Sequence, residues 1–251
     1  MINYLQPDFS DLPGQRPTPD IYKSTDNPCE HIDVSIITPC YNTKKDFFIE
    51  TWRSIQSQSL QNWEWLIIDD GSPNTNSVAE LKNIAKEDER ITVIERVNGG
   101  TAAARNTGFN ISKGRYICLL DHDDMLEPTY LEKCVWFLDS NTEFSFCNSY
   151  NVIFDQQEFL WTKGFERGKD FLKANSAPPI SVISRKAYKD CGGFDETIRI
   201  LYEDWDFWLA MAKTGHWGAT IPEYLQWYRK LGEGRYEQIL ESGYDNNDFA
   251  K

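Results

Sequence analysis

The chain has 251 residues, 40% of them hydrophobic and 26% charged, the balance of a globular protein long enough to bury a core. Its 26 basic and 39 acidic residues leave a net charge of −13, which argues against non-specific binding to nucleic acid or to an anionic membrane. No apolar run approaches the ~20 residues a membrane helix needs, and residues 1–15 lack the basic start and apolar centre of a signal peptide.

Residues 1–32 carry five of the eleven prolines and no periodic apolar pattern, so they read as an irregular N-terminal extension. From Val34 strands and helices alternate. Val34-Ser35-Ile36-Ile37-Thr38 is a buried strand that Pro39 ends, and residues 46–58 bring Phe47, Phe48, Trp52 and Ile55 to helical spacing. Trp65-Leu66-Ile67-Ile68 is a second strand, 78–86 a helix, 91–94 a third strand. Residues 101–112 form an Ala-rich helix with Gly114 as its C-terminal cap, and 115–120 a fourth strand ending at Asp121. Strands separated by single helices imply right-handed crossovers and an α/β, doubly wound, mostly parallel sheet. Further on, 130–138 is a helix, 144–154 alternates like strands, and 159–175 is aromatic and irregular. A short strand at 181–184 leads to a helix from 186 and a turn at Gly192-Gly193-Phe194-Asp195-Glu196. The last helix, 203–213, is expected to turn Trp205, Trp208, Leu209 and Ala212 inward, and the tail past 232 to be partly structured. Cysteines at 29, 40, 118, 134, 147 and 191 have neither zinc-site nor redox spacing and read as free thiols of a reducing cytoplasm. Aromatics make up 14% of the chain, enough for a bulky core or for surfaces that stack on ring-shaped ligands.

Ligands of such sheets bind outside the carboxyl ends of the strands, and three of those ends are polar. They are Thr38-Pro39-Cys40-Tyr41-Asn42, Asp69-Asp70-Gly71-Ser72 and Asp121-His122-Asp123-Asp124. Carboxylates at i and i+2 of a strand end can converge on one cation, and oxygen ligands suit Mg²⁺ or Mn²⁺. Because Mg²⁺ completes its shell with phosphate oxygens and water, a metal–diphosphate is the natural ligand. The plain alternative is an acidic turn before the next helix, with His122 packed or facing away. Asp69-Asp70-Gly71-Ser72 also spells an ordinary turn; facing a nucleotide, it would meet a base or ribose edge. The chain has no GxxxxGK[ST] loop and no GxGxxG opening, which argues against P-loop and dinucleotide chemistry. Arg105 is either solvated or aimed at the acidic edge or a phosphate. Glu203-Asp204 is either simple first-turn charge or a general base beside Tyr202 and Trp205.

Taken in order, Val34 to Asn42, Glu64 to Ser72, Asn98 to Gly108 with Ala104-Arg105-Asn106, Gly114-Arg115-Tyr116-Ile117 into Asp121-His122-Asp123-Asp124, Gly193-Phe194-Asp195-Glu196 and Glu203-Asp204 resemble the family 2 glycosyltransferases of the GT-A fold. The resemblance covers about residues 33–230. It implies a domain at 33–235, with a sugar-nucleotide half at 33–124, an acceptor half at 125–235 and a tail at 236–251. It also implies a nucleotide-sugar donor, UDP-linked by preference, bound through Mn²⁺ or Mg²⁺. Thr38, Tyr41 and Asp70 match nucleoside-holding positions and Arg105 a donor-side position. Asp121 and Asp123 match the DxD signature, with Asp123 the direct metal ligand. Asp204 matches the catalytic base of an inverting transfer to a hydroxyl of a glycan, lipid-linked or other acceptor. The Gln-x-x-Arg-Trp signature of processive members is absent, only echoed by Gln226-Trp227-Tyr228-Arg229, so one sugar per reaction is expected. Lys230-Leu231-Gly232 stands where many relatives place a metal-binding His. The rival readings are a non-catalytic carbohydrate-binding module and a sugar nucleotidyltransferase; the latter needs a Gly-rich basic loop, and 38–45 offers only Lys44 and Lys45. The expected location is cytoplasmic, at most peripheral to a membrane.

Overall fold

The computed structural model describes residues 32–165, 170–175, 179–199 and 201–231. The extension before Ile32, with Cys29, and the tail at 236–251 lie outside the described residues.

Two strands with every residue buried, β1 (Val34–Cys40) and β2 (Trp63–Asp69), form the floor of the domain. Such runs are largely apolar because helices cover both faces of a parallel sheet, and their polar members Ser35 and Glu64 hydrogen-bond each other. The sheet order is β3 (Ile91–Glu95), β2, β1, β4 (Tyr116–Leu119), β8 (Ser181–Ser184), β6 (Phe146–Asp155), β9 (Gly218–Lys230) and β5 (Met125–Leu126), with β7 (Phe159–Trp161) paired to β6. β1 is parallel to β2 and β4, and β2 to β3. β8 runs antiparallel to both β4 and β6, while β6 and β9 pair in parallel over the longest ladder. The expectation of a mostly parallel α/β sheet therefore holds, with every antiparallel pair involving a strand of the second half.

The helices α1 (Lys45–Gln56), α2 (Thr75–Ala85), α3 (Thr101–Ile111), α4 (Tyr130–Ser140), α5 (Arg185–Asp190) and α6 (Glu203–Lys213) follow the sequence reading within a few residues. In α1, Phe48 and Trp52 stack on Trp65 of β2 at centroid distances of 5.2 and 5.5 Å. On α3, Ala102, Ala103 and Ala104 are all buried and Gly108 meets Ile37, so the helix lies close on the sheet. No helix among the described residues is long and apolar enough to cross a membrane. Cys40, Cys118, Cys134, Cys147 and Cys191 are free.

Several details differ from the sequence reading. Pro39 does not end β1, which runs on to Cys40. Cys40 O accepts the amide of Asp70 from β2, so by strand alternation the Pro39 nitrogen faces the other neighbour, β4, whose pairing has already stopped at Ile37. The missing N–H breaks no ladder bond. Residues 144–154 hold one strand, β6, rather than several. The inward face of α6 is Phe207, Trp208 and Met211, with Ala212 packed at its margin as expected, whereas Trp205 and Leu209 are only half-buried. β9 carries no clean alternation because its pairing slips: Ser149 opposes Ile221 but Tyr150 opposes Tyr224, and Pro222 sits in the extra turn of chain.

Gly114 does not cap α3, whose C-cap is Ser112 in an extended conformation. Its amide donates instead to Ser35 Oγ at 2.7 Å, and a Cβ there would lie 2.5 Å from the Ser35 backbone nitrogen. Backbone cannot yield as a flexible side chain can. Gly114→Ala should lower stability by about 1–3 kcal/mol, the usual cost of overpacking, read as a lower urea midpoint with an unchanged m-value.

Candidate active site

The strand order reverses between β1 and β4, and the space above that point is where an open α/β sheet binds its ligand. A cleft of about 1000 Å³ opens there. Its floor is the ends of β1, β2 and β4, and its walls are the N-termini of α3 and α6, the β7 edge and the end of β9.

Asp70 is buried, and its carboxylate organises one wall. Oδ1 and Oδ2 accept the Gly99 amide at 3.0 and 3.2 Å, Oδ2 accepts the Gly100 amide at 2.7 Å, and Oδ1 pairs with Arg96. Gly100 has φ +91°, a conformation glycine adopts freely, and a Cβ on Gly99 would strike the Arg96 guanidinium. Asp70 thus shapes the loop that feeds α3. Tyr41 stands half exposed on the cleft wall. Thr38 does not reach the cleft: it is fully buried and its Oγ1 accepts the indole N–H of Trp65 at 2.8 Å. Pro39 and Cys40 line the cleft instead. Strand alternation turns residue 38 toward the aromatic layer under α1.

The acidic run after β4 is held from below. Thr51 Oγ1 lies 3.1 Å from His122 O and 2.8 Å from Asp124 O, and Arg229 Nε donates to Asp123 O at 2.9 Å. Asp121, His122 and Asp123 line the cleft. Burial, with the like charge of Asp121, pushes the Asp123 carboxyl above the ordinary carboxylate range, opposed by His122. Asp124 is buried, accepts the Arg229 amide on Oδ1 at 2.8 Å, and has no partner for Oδ2 among the described residues. Burial raises its pKa further still. His122 does not face away: it lines the cleft with its Nδ1 4.0 Å from Asp123 Oδ1.

Arg105, only 1% exposed, crosses the floor between the two acidic groups. Its Nη2 donates to Asp121 Oδ1 at 2.9 Å and its Nη1 lies 3.6 Å from Glu203 Oε1. Burial opposes its charge, but Asp121, Glu203 and Asp204 together hold it protonated. Asp204, at the start of α6, accepts the Asn175 amide on both oxygens at 3.0 Å and the Trp205 backbone N–H at 2.8 Å. Burial first, and then the adjacent Glu203 charge, raise its pKa to about 6, against the Asn175 hydrogen bond and the Arg105 charge. Tyr202, just before it, has φ +66°, a strained conformation for a bulky residue and one typical of functional turns.

The family model for glycosyl transferase family 2 matches residues 35–201. The chain belongs to glycosyl transferase family 2. It is 34% identical over 195 residues to an uncharacterized glycosyltransferase of Rickettsia felis, a match covering 76% of this chain and 32% of that protein. An uncharacterized glycosyltransferase of Methanocaldococcus jannaschii is 29% identical over 212 residues, covering 81% of this chain and 72% of that protein. The chain thus matches about a third of the length of the Rickettsia relative. Among solved structures, S. aureus TarS 1–349 in complex with UDP-GlcNAc superposes with a TM-score of 0.69 at 17% identity, over 85% of this chain and 62% of that one. At that identity the likeness is one of fold, and it agrees with the GT-A architecture expected from the sequence.

Of the family positions read from the sequence, Tyr41, Asp70, Arg105, Asp121, Asp123 and Asp204 meet in the one cleft, and Thr38 does not. Sequence reasoning missed Asn175, Arg96 and the grip of Arg229. Asn175 lay in the stretch read as irregular, with no local pattern to mark it. The Asp70 loop provides a direct check. Asp70→Asn puts an amide N–H where three donors already converge, and leaves Arg96 without its counter-charge. Stability should fall by about 1–3 kcal/mol, and the Gly99 and Gly100 amides, protected in the parent, should exchange with deuterium markedly faster.

Proposed function

We propose that this chain is the catalytic domain of a metal-dependent, inverting glycosyltransferase that moves one sugar from a UDP-sugar to an acceptor hydroxyl. The observation that carries this reading is a single cleft holding the Asp121/Asp123 carboxylates and the raised-pKa Asp204, with Arg105 buried between Asp121 and Glu203. The solved relative with UDP-GlcNAc bound supports the donor class.

The donor set fits a divalent cation. Among the described residues no three His, Cys, Asp or Glu side chains converge as a complete protein cage. Mg²⁺ and Mn²⁺ do not require one, since they accept one or two carboxylates and take other oxygens from phosphate and water. Asp123 would hold the ion, with Asp121 beside it. When bound, the ion supplies positive charge that offsets the charge growing on the departing diphosphate.

Asp204 accepts the proton of the acceptor hydroxyl as that oxygen forms its bond to the anomeric carbon and the bond to the diphosphate oxygen breaks. A single displacement from the opposite face inverts the anomeric centre. A carboxyl with a pKa of about 6 is mainly ionised at neutral pH, yet is a stronger base than an exposed aspartate. Asn175 and the Trp205 amide fix the carboxylate's orientation. The cleft aromatics Phe159 and Trp161, on one face of β7, present ring surfaces suited to a sugar acceptor. Trp205 also lines the cleft, but its indole N–H is tied to Phe171 O at 2.6 Å, so it braces the wall as well.

Two experiments test the reading. In calorimetry, UDP should bind more tightly with Mn²⁺ present, and a folded Asp123→Ala variant should lose that gain; a glycan-binding module would show no metal-dependent nucleotide binding at all. For the base, Asp204→Asn keeps size and capping but cannot take the proton, and should lower the transfer rate by ~10²–10⁴ with UDP affinity retained. Because the base must be ionised, the parent's kcat/KM should fall as pH drops through about 6. A variant within a few-fold of the parent, or a profile flat down to pH 4, refutes the base assignment.

A further inference from the structure

The stretch Gln226-Trp227-Tyr228-Arg229 closes β9 and places one buried guanidinium under the acidic run. Each edge of that fork is engaged. Nε donates to Asp123 O at 2.9 Å, Nη1 to Asp155 Oδ2 at 2.9 Å, and Nη2 to Glu50 Oε2. The rings of Phe47 and Phe154 lie 4.1 and 4.4 Å from the guanidinium carbon. Two carboxylates, from α1 and from the end of β6, and two rings therefore fix the plane of the fork. Its third edge reaches a main-chain oxygen of the acidic run.

The consecutive carbonyls of that run have polar groups beneath them, the single Thr51 hydroxyl lying closest to Asp124 O. Thr51 sits under His122 O and Asp124 O, and Arg229 takes the one between them. Carbonyls anchored below leave the Asp123 side chain on the cleft side. The Arg229 main-chain amide separately holds Asp124 Oδ1, a contact that survives any substitution at 229. Changing the Arg229 side chain thus releases the Asp123 peptide while its C-terminal neighbour stays tied.

We propose that Arg229 is a positioning residue that locks the Asp123 peptide and so aims the Asp123 carboxylate at the divalent cation of the donor complex. This rests on the metal-dependent reading given above. Lysine would keep the positive charge but not the planar fork that serves three acceptors at once. Groups that orient a metal ligand typically contribute 10–100-fold to metal affinity.

The test is calorimetric titration of UDP into the full chain, with and without MnCl₂, for the parent and for Arg229→Lys, with a thermal melt of each. The Mn²⁺-dependent gain in UDP affinity should fall about tenfold in Arg229→Lys, while metal-free UDP affinity stays at the parent's value. A purely structural arginine would lower the melting temperature and leave the ratio of the two affinities unchanged; that result, in a folded variant, overturns the proposal and leaves metal dependence standing. A parent whose UDP affinity ignores Mn²⁺ overturns both. If Arg229→Lys does not fold, Asp155→Asn is read in its place, since it loosens one arm of the fork from β6 and Asn tolerates the φ of +85° there. A smaller loss of the same gain supports the proposal, and an undiminished gain overturns it.

Discussion

The cleft exists because a cation is buried among carboxylates that would otherwise repel. Arg105 is one of the largest fully buried side chains, in the company of Trp63, Trp65 and Trp208. Withdrawing an ion from water costs several kcal/mol, and only close opposite charge offsets that. Asp121 at 2.9 Å and Glu203 at 3.6 Å supply it. The debt is not cleared, because Nε and Nη1 find no hydrogen-bond partner among the described residues. A fold selected for stability alone would have little use for a guanidinium here. Its value lies in letting the strand-end carboxylates and the start of α6 share one cavity. The buried Ala102-Ala103-Ala104 stretch follows from the same demand, since only small side chains let α3 carry Arg105 this close to the sheet.

A second link fixes α6 relative to α3. Asn106, one residue after the arginine, donates to Phe194 O and Glu196 Oε1 and accepts from the Phe194 amide and Tyr188 Oη. Gly193, at φ +78°, is glycine because of this contact as well as its dihedral: a Cβ would lie 2.7 Å from Asn106 Oδ1. Phe194 then stacks on Phe207 of α6 at 4.2 Å and 9°. The Gly193-Phe194-Asp195-Glu196 turn, expected from the sequence on the acceptor side, also ties α3 to the helix that carries Asp204.

Much of this was legible in the sequence where local pattern and local structure coincide. The first half alternates strand and helix, its central strands β1, β2 and β4 are buried on both faces, and its polar residues mark the strand ends, so sheet, crossovers and cleft follow from β1 to β4 with little ambiguity. The second half resists the same reading because its geometry is set by partners far away in sequence. β9 follows β6 through a slipped register around Pro222, which erases periodicity. Asn175 and Arg229 meet Asp204 and Asp123 across 29 and 106 residues of sequence, beyond the reach of any local pattern. Thr38 fails for a finer reason. A motif fixes which stretch lines a site, but strand alternation decides which side chains in it do, and alternation gave Thr38 to Trp65.

The aromatic residues resolve in the same way. Phe146, Phe165, Phe171, Tyr188, Phe194, Phe207 and Trp208 belong to one buried cluster, so these rings are core. Their effect on chemistry is indirect but physical. The apolar mass packed under α6 keeps water from the buried side of Asp204, and burial is the largest cause of its raised pKa. Glu203 adds to that shift, whereas Asn175, Arg105 and the Trp205 amide restrain it, and the carboxyl settles at about 6. On the proposed mechanism, core packing, the buried arginine and the Asn175 side chain thus jointly tune the basicity of the carboxylate proposed as the base.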